Sequence, residues 1–288
     1  MKTILVPTDF TEVSKNALEY VIEMVKVMPA KVVLFHAYHV PIVATDVIVV
    51  PSMDEVKQIG IAALEDLKKE VQIKGGKNLH IETHCVQGFA VDEINLYTST
   101  NKVDLIVMGT SGGGYLTEKI IGSITTSLLR ESNCPVMAID KNVKFKTPRK
   151  IVLACDYKFI KDTAIVILKD ISKLFDAHVY ILNVANEVER IPADIESTVC
   201  GFNLDTSFEK INHSFEFTTN ENVVDGINEY INSEHMDMVV MVPRKHSVLN
   251  RIFNEPNTKR MAFHTTVPVL ALHELNYNNE HKINKTKK

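Results

Sequence analysis

KTILVPTDF (Lys2–Phe10) and RKIVLACDY (Arg149–Tyr157) are two versions of one segment. Laid side by side, Ile4 falls on Ile151, Asp9 on Asp156 and Phe10 on Tyr157, all at an offset of 147. The same offset carries Ala17 onto Ala164, and AKVVLFHAY (Ala30–Tyr38) onto AHVYILNVA (Ala177–Ala185). Further along, the offset is 133. Asp92 then meets Asp225, VDLIVM (Val103–Met108) meets MDMVVM (Met236–Met241), and CPVMAI (Cys134–Ile139) meets VPVLAL (Val267–Leu272). Two constant offsets mean two copies of one domain, the second shorter in its middle by 147 − 133 = 14 residues. A period of about 140 residues is too long for a solenoid repeat.

Each copy reads as strands alternating with helices. Ile4–Pro7, Val32–Ala37, Asp104–Met108 and Val136–Ile139 are short apolar, strand-like runs, and His80–Val86 alternates like a strand. Between them, Ser14–Met28 places Ala17, Leu18, Val21, Ile22, Met24, Val25 and Met28 at helical spacing. Ser52–Lys74 does the same with Val56, Ile59, Ala63, Leu67 and Val71, and stops at Gly75–Gly76. Ala90–Thr100 and Ser123–Ser132 are the remaining helices of the first copy. Apolar strands separated by helices imply a parallel sheet covered on both faces. The expected fold class is α/β: two tandem, doubly wound, five-stranded, Rossmann-like domains. They run from 1 to 144 and from 149 to 275, with FKTPR (Phe145–Arg149) as linker and 276–288 as a polar, disordered tail.

Composition narrows the function. Of 288 residues, 45% are hydrophobic and 24% charged, which excludes a disordered or collagen-like chain. A net charge of −4 argues against coating nucleic acid. No apolar run approaches a membrane span. The N-terminal run is cut short by Asp9, which argues against a signal peptide and for a cytoplasmic protein. Cys85, Cys134, Cys155 and Cys200 have no close pairing and read as reduced thiols.

In doubly wound sheets a ligand sits beyond the carboxyl ends of the strands. After the first strand come Pro7, Thr8 and Asp9; after the fourth comes GTSGGGYLTEKIIGS (Gly109–Ser123). Five of the chain's 11 glycines lie in this second stretch. Consecutive backbone N–H groups without Cβ atoms can close around phosphate oxygens. Ser123 reads as the N-cap of the following helix, whose N-terminus favours an anion, and Ser123 and Thr125 offer hydroxyl donors. The plainer alternatives are a glycine-rich surface loop and, for Asp9, a residue capping the first helix.

The spacing Gly109-x2-Gly112-x9-Gly122-Ser123 resembles the nucleotide-binding signature of the universal stress protein superfamily. Pro7-Thr8-Asp9, His36-Ala37 after the second strand and Cys134-Pro135-Val136 are similar to that family too, so the resemblance runs along nearly the whole chain. It implies ATP, with or without Mg, bound in a fold of strand order 3-2-1-4-5 by an ATP-dependent stress-response sensor or regulator. It implies that Asp9 lies beside the ribose or adenine and that the backbone of Ala37 contacts adenine. Gly109, Gly112, Gly122, Ser123, Ile124 and Thr125 would hold ribose and phosphates, with Pro7, Thr8 and Met108 completing the set. The implied assembly is an intramolecular pseudo-dimer in which the closing strands Val136–Ile139 and Val267–Leu272 pair, with a homodimer and a protein partner of unknown kind as further options.

The second copy departs from this pattern. Val242 stands where Gly109 would be, Lys245 for Gly112, Glu255 for Gly122 and Pro256 for Ser123. Proline removes an N–H at the helix start, and Glu255 sets a negative charge there. Ala154-Cys155-Asp156 replaces Pro7-Thr8-Asp9. This copy is expected to lack the phosphate cradle, although Arg244, Lys245 and His246 leave open an anion held differently. His80 and His84 occur as HIETH rather than HExxH, and on a strand they would stand about 13 Å apart, too far to share a metal. There is no GK[S/T] after the glycines and no evident water-activating base. Two other function classes remain: a slow ATPase, autophosphorylating or adenylyl-transfer enzyme, and a partner-binding module indifferent to nucleotide. VPIVATDVIVVP (Val40–Pro51) reads as a packed cover over a domain edge or the other copy.

Overall fold

The structure is a computed structural model that describes residues 2–39, 52–75, 79–110, 121–155, 162–185, 204–243 and 266–273. Several sequence readings lie outside these residues: Gly112 and the rest of 111–120, the cover at 40–51, Asp156, Cys200, the Arg244–His246 cluster, Glu255 and Pro256, and the tail at 276–288.

The first copy runs β1 (Lys2–Pro7), α1 (Glu12–Val27), β2 (Ala30–Tyr38), α2 (Met53–Gly75), β3 (Ile81–Gln87), α3 (Ala90–Thr100), β4 (Leu105–Gly109), α4 (Ser123–Glu131) and β5 (Val136–Ile139). The second runs β6 (Lys150–Ala154), α5 (Asp162–Phe175), β7 (His178–Ala185), α6 (Leu204–Phe208), β8 (His213–Thr219), α7 (Val223–Ser233), β9 (Met238–Met241) and β10 (Val269–Ala271). All ten strands form one sheet in the order β3-β2-β1-β4-β5-β10-β9-β6-β7-β8. The first copy therefore has the order 3-2-1-4-5. Every pairing is parallel except β5 with β10.

Burial explains why the central strands are apolar, whereas the edge strands β3 and β8 carry Glu82, His84, His213 and Glu216. Along β1, Ile4 and Val6 enter the core on one face with α1, α2 and α5, while Leu5 enters the opposite core with α3, α4 and α7. At roughly 1.5–3 kcal/mol for each large side chain removed from water, this two-sided burial is the main stabilising term. In α2 the buried stripe is Gly60, Leu64, Leu67 and Val71, while Ile59 is 67% exposed. The sequence placed Ile59 on the buried face. The helix is turned by about one residue because Gly60 sits against the sheet, where a Cβ would lie 3.0 Å from Cys85 Sγ and 3.1 Å from His36 Cδ2.

The two copies meet at β5 and β10, where Val269 pairs with Ala138, Leu270 with Met137 and Ala271 with Val136. At the offset of 133 the counterpart of Met137 is Leu270, its own partner. The pseudo-two-fold axis therefore passes between these two residues, and the strand edge of each copy is covered by the other. The repeat also recurs in hydrogen bonds. Asp104 Oδ2 accepts from Thr3 N at 2.8 Å, and its counterpart Asp237 Oδ2 accepts from Lys150 N at 2.9 Å. Cys85 and Cys134 are free thiols. Among the described residues no helix is long and apolar enough to cross a membrane.

Candidate functional site

The loop after β1 is built inward from Thr8. Its N–H continues the ladder to Phe35 O at 2.8 Å, its hydroxyl lies 3.1 Å from Ser14 Oγ, and that same oxygen accepts from Phe10 N at 3.0 Å. Thr8 is thus buried and engaged by the protein, and Pro7 closes β1 opposite Phe35. Asp9 is exposed, and its Oδ1 accepts from Thr11 N at 3.1 Å and Thr11 Oγ1 at 2.6 Å. Thr11, not Asp9, caps α1, accepting from Ser14 N. The helix consequently starts at Glu12, two residues before the sequence expectation.

His36 fixes this loop from the neighbouring strand. Its Nδ1 lies 2.9 Å from Thr8 O, and a carbonyl only accepts, so Nδ1 carries the proton. Phe10, held at φ 64°, sets its ring 4.6 Å from the imidazole. His36 and Ala37 lie within β2 rather than after it, because β2 extends to Tyr38 alongside β3. β1 stops opposite Phe35. Alternation along a strand turns the Ala37 N–H and C=O towards the side where β1 has ended. No strand of the described residues pairs with those groups on that side.

The second wall is the β4–α4 connection. Met108 is buried, and Gly109 ends β4. A Cβ on Gly109 would come 2.8 Å from Val13 Cγ1 and 3.1 Å from the Val13 backbone C and O. The glycine is needed so that α1 can approach β4. The chain then ties itself down: Thr110 N donates to Ile139 O at 3.0 Å, and Gly122 N to Thr110 O at 2.7 Å. Gly122, not Ser123, is the N-cap of α4, with φ −61° and ψ 154°, and Thr126 N returns to Gly122 O at 2.9 Å. Ser123 is the first helical residue, and both it and Ile124 are exposed. The Thr125 hydroxyl is buried and donates to Gly109 O at 2.9 Å, so it closes the site's frame instead of facing a ligand.

Two helix N-termini, those of α1 and α4, therefore meet at Gly109. The amides of Ser123, Ile124 and Thr125 precede the first intrahelical bond of α4 and have no acceptor within the helix. Such amides, with the helix dipole behind them, attract an anion. Among the described residues no group of three or more His, Cys, Asp or Glu is placed to hold a metal. His80 precedes β3 and faces Glu82, with Nε2 3.1 Å from Oε1, while His84 stacks on Phe35. In the second copy, Cys155 and Val242 are buried at the positions of Thr8 and Gly109.

Sequence reasoning missed Val13, Ser14 and the loop-holding role of His36. The Thr11-x-x-Ser14 spacing was a readable signal for the cap; the contact between Gly109 and Val13 was not, since it joins residues 96 positions apart.

Comparison with known proteins agrees with the fold. The universal stress protein family model matches residues 1–140. Universal stress protein MJ0531 of Methanocaldococcus jannaschii is 31% identical over 151 residues, covering 50% of this chain and 84% of that protein. Universal stress protein YxiE of Bacillus subtilis is 28% identical over 146 residues, covering 47% of this chain and 97% of its own. Among solved structures, a universal stress protein from Archaeoglobus fulgidus superposes with a TM-score of 0.67 at 16% identity, over 94% of this chain and 96% of that one. That last likeness spans both copies and speaks for the fold alone.

Proposed function

The chain belongs to the universal stress protein family, and from that premise we propose that its N-terminal copy binds ATP and that the protein acts as a nucleotide-dependent regulator or sensor. The observation that carries this reading is the meeting of two helix N-termini at Gly109, beside the exposed Asp9 and the unbridged backbone of Ala37. In this reading the Ala37 backbone reads the adenine edge, Asp9 faces the ribose, and the amides of Ser123, Ile124 and Thr125, which follow the cap Gly122, hold phosphates together with Gly109 and Gly112. Pro7, Thr8 and Met108 support the walls. Mg2+ would accompany the phosphates as their counter-ion. The domain limits that go with it are 1–144 for the nucleotide-binding copy and 149–275 for the degenerate one, with the protein in the cytoplasm and a homodimer of chains as the larger assembly.

The second copy supports asymmetry of function. Val242 places a buried side chain where Gly109 leaves room for α1, and the sequence puts Glu255 and Pro256 where the anion-binding amides would be. One ATP per chain is expected.

Isothermal titration of the full chain with ATP tests this, using Gly122→Glu as the control. At φ −61° the position accepts any residue. The variant should therefore fold, while its charge faces the phosphates. Loss of one charge-assisted contact weakens binding about 10- to 100-fold. A stoichiometry of two, or unchanged affinity in the variant, would show that the site is misplaced.

A further inference from the structure

The helix whose N-terminus frames the candidate site is held at its other end by the second copy. Leu128 and Leu129 of α4 share one core with Val267, Val269 and Ala271. The last four carbonyls of a helix lack donors within it. Leu128 O takes Ser132 N at 3.2 Å. Leu129 O is met across the seam, by His273 Nε2 at 3.1 Å. A carbonyl only accepts, so Nε2 carries the proton. At about 1.5 Å of rise per residue, Leu129 stands roughly 9 Å along the helix from Ser123, the first of the amides left free for a ligand.

Two observations set this contact apart from ordinary packing. The first is its cost. His273 is 5% exposed, and its Nδ1, which carries no proton, is buried with no donor among the described residues. An unmet buried acceptor is unfavourable, and an apolar residue would avoid it. What histidine offers here and leucine does not is the Nε2 donor at the end of α4. The second is that the contact is one-sided. At the offset of 133 the counterpart of His273 is Asp140. Asp140 is turned to its own copy, where Oδ1 accepts from Asn142 N at 3.1 Å and Oδ2 from Thr110 Oγ1 at 3.5 Å. Two first copies paired through β5 would bring an aspartate to this place. Its carboxylate cannot donate to Leu129 O, and the negative end of the helix opposes its charge. The anchor therefore exists only where the second copy supplies it.

We propose that His273 is a positioning residue through which the second copy fixes α4, and with it the amides of Ser123, Ile124 and Thr125 that the first copy offers to a ligand. α4 is then tied at both ends, by the Thr125 hydroxyl on Gly109 O within its own copy and by His273 across the seam. The copy whose sequence lacks the glycine motif braces the one that has it. The consequence for ATP affinity rests on the nucleotide reading; the anchoring of α4 does not.

Hydrogen exchange in the full chain without nucleotide tests the anchor, and ATP titration tests its consequence. Three variants separate the bond from the bulk. His273→Leu keeps an apolar core and removes the donor. His273→Asn sets its amide near the Nδ1 position of the ring, too short for Leu129 O. His273→Gln sets its amide near Nε2 and keeps the bond. Exchange of the α4 amides at 126–129 should quicken at least about fivefold in the Leu and Asn variants, remain near the parent in Gln, and be unchanged in α1 and α7 throughout. ATP affinity should fall about fivefold in the first two and recover in the third. Unchanged α4 exchange in both the Leu and Asn variants, quickening shared equally by α1 and α7, or a Gln variant as fast as Leu would overturn the anchor. Faster exchange with unaltered ATP affinity would overturn the positioning role. A parent chain that binds no ATP would instead overturn the nucleotide reading, and the anchor would be judged by exchange alone.

Discussion

Replacing Gly109 with alanine tests whether this glycine is there for α1. The new Cβ would stand 2.8 Å from Val13 Cγ1 and 3.1 Å from the Val13 backbone C and O. The side-chain contact can be relieved by rotation about χ1. The backbone contacts cannot, and α1 must move away by a few tenths of an ångström. Overpacking of this kind costs about 1–3 kcal/mol. Gly109 has no left-handed φ, so alanine should also return roughly 0.4–1 kcal/mol by restricting the unfolded chain. The net loss should be about 0.5–2 kcal/mol, read from urea unfolding midpoints at unchanged slope. Val13→Ala introduced with it removes the Cγ1 clash alone, so most of the loss should persist. ATP affinity should fall in Gly109→Ala as well, because α1 carries the Asp9 loop at its N-terminal end. A Gly109→Ala chain as stable as the parent, or full rescue by Val13→Ala, would refute the backbone argument.

Thr125→Val keeps shape but leaves Gly109 O without its 2.9 Å donor; a loss of about 1–3 kcal/mol is expected by urea unfolding, and Thr125→Ser, which keeps the hydroxyl, should avoid most of that loss. His273, after β10, is buried and donates from Nε2 to Leu129 O at 3.1 Å in α4. Burial lowers its pKa to about 4 from 6.5, so the folded state holds the neutral ring more strongly than the unfolded chain does. The stability this contributes, about 3 kcal/mol, is complete above pH 6.5 and is lost as pH falls from 6.5 towards 4. In His273→Gln the unfolding free energy should be flatter over that window. Glu19 and Asp237, both held below their ordinary values, lose their contributions only at still lower pH. Residues 1–146 expressed alone would bare β5, and should dimerise through Met137 or aggregate; a stable monomer at micromolar concentration by sedimentation would contradict the role assigned to the seam.

The fold was legible because its signal is redundant: two copies repeat the same strand ends in register, and apolar strands between amphipathic helices leave one layer arrangement. In the frame of the candidate site, the positions legible in the sequence were those that depend on backbone alone, Gly109 against α1 and Gly122 at the start of α4. The site was misread where side chains compete for one role. Ser123 is a good N-cap residue, but Gly122 already has the extended backbone of the cap and its carbonyl takes the first helical bond. Thr125 offers a hydroxyl, but the nearest acceptor is the protein's own Gly109 O. Helix phase in α2 was off by one residue because Gly60, which carries no hydrophobic signal, is the residue that touches the sheet.

Fusion of the copies accounts for how one chain can carry unlike halves. In a symmetric dimer every off-axis residue occurs twice, so a change at Gly109 alters both sites. Here Met137 and Leu270 lie at the axis, and both stay apolar and buried. Away from the axis the copies are free to differ: glycine at 109 faces valine at 242, and Tyr20 faces Ile167. The ladder that joins the halves is insulated from those differences: β5 and β10 pair through Val136 to Ala138 and Val269 to Ala271, none of which is at those positions, while Tyr20 and Val242 pack in the core beside it. A duplicated chain can therefore change one half's ligand chemistry while leaving the shared sheet intact. α1 shows how close the two roles lie, since Val13 frames the candidate site while Asn16, one turn on, donates to Asp140 O at 2.8 Å and Val143 O at 2.9 Å, just before the linker.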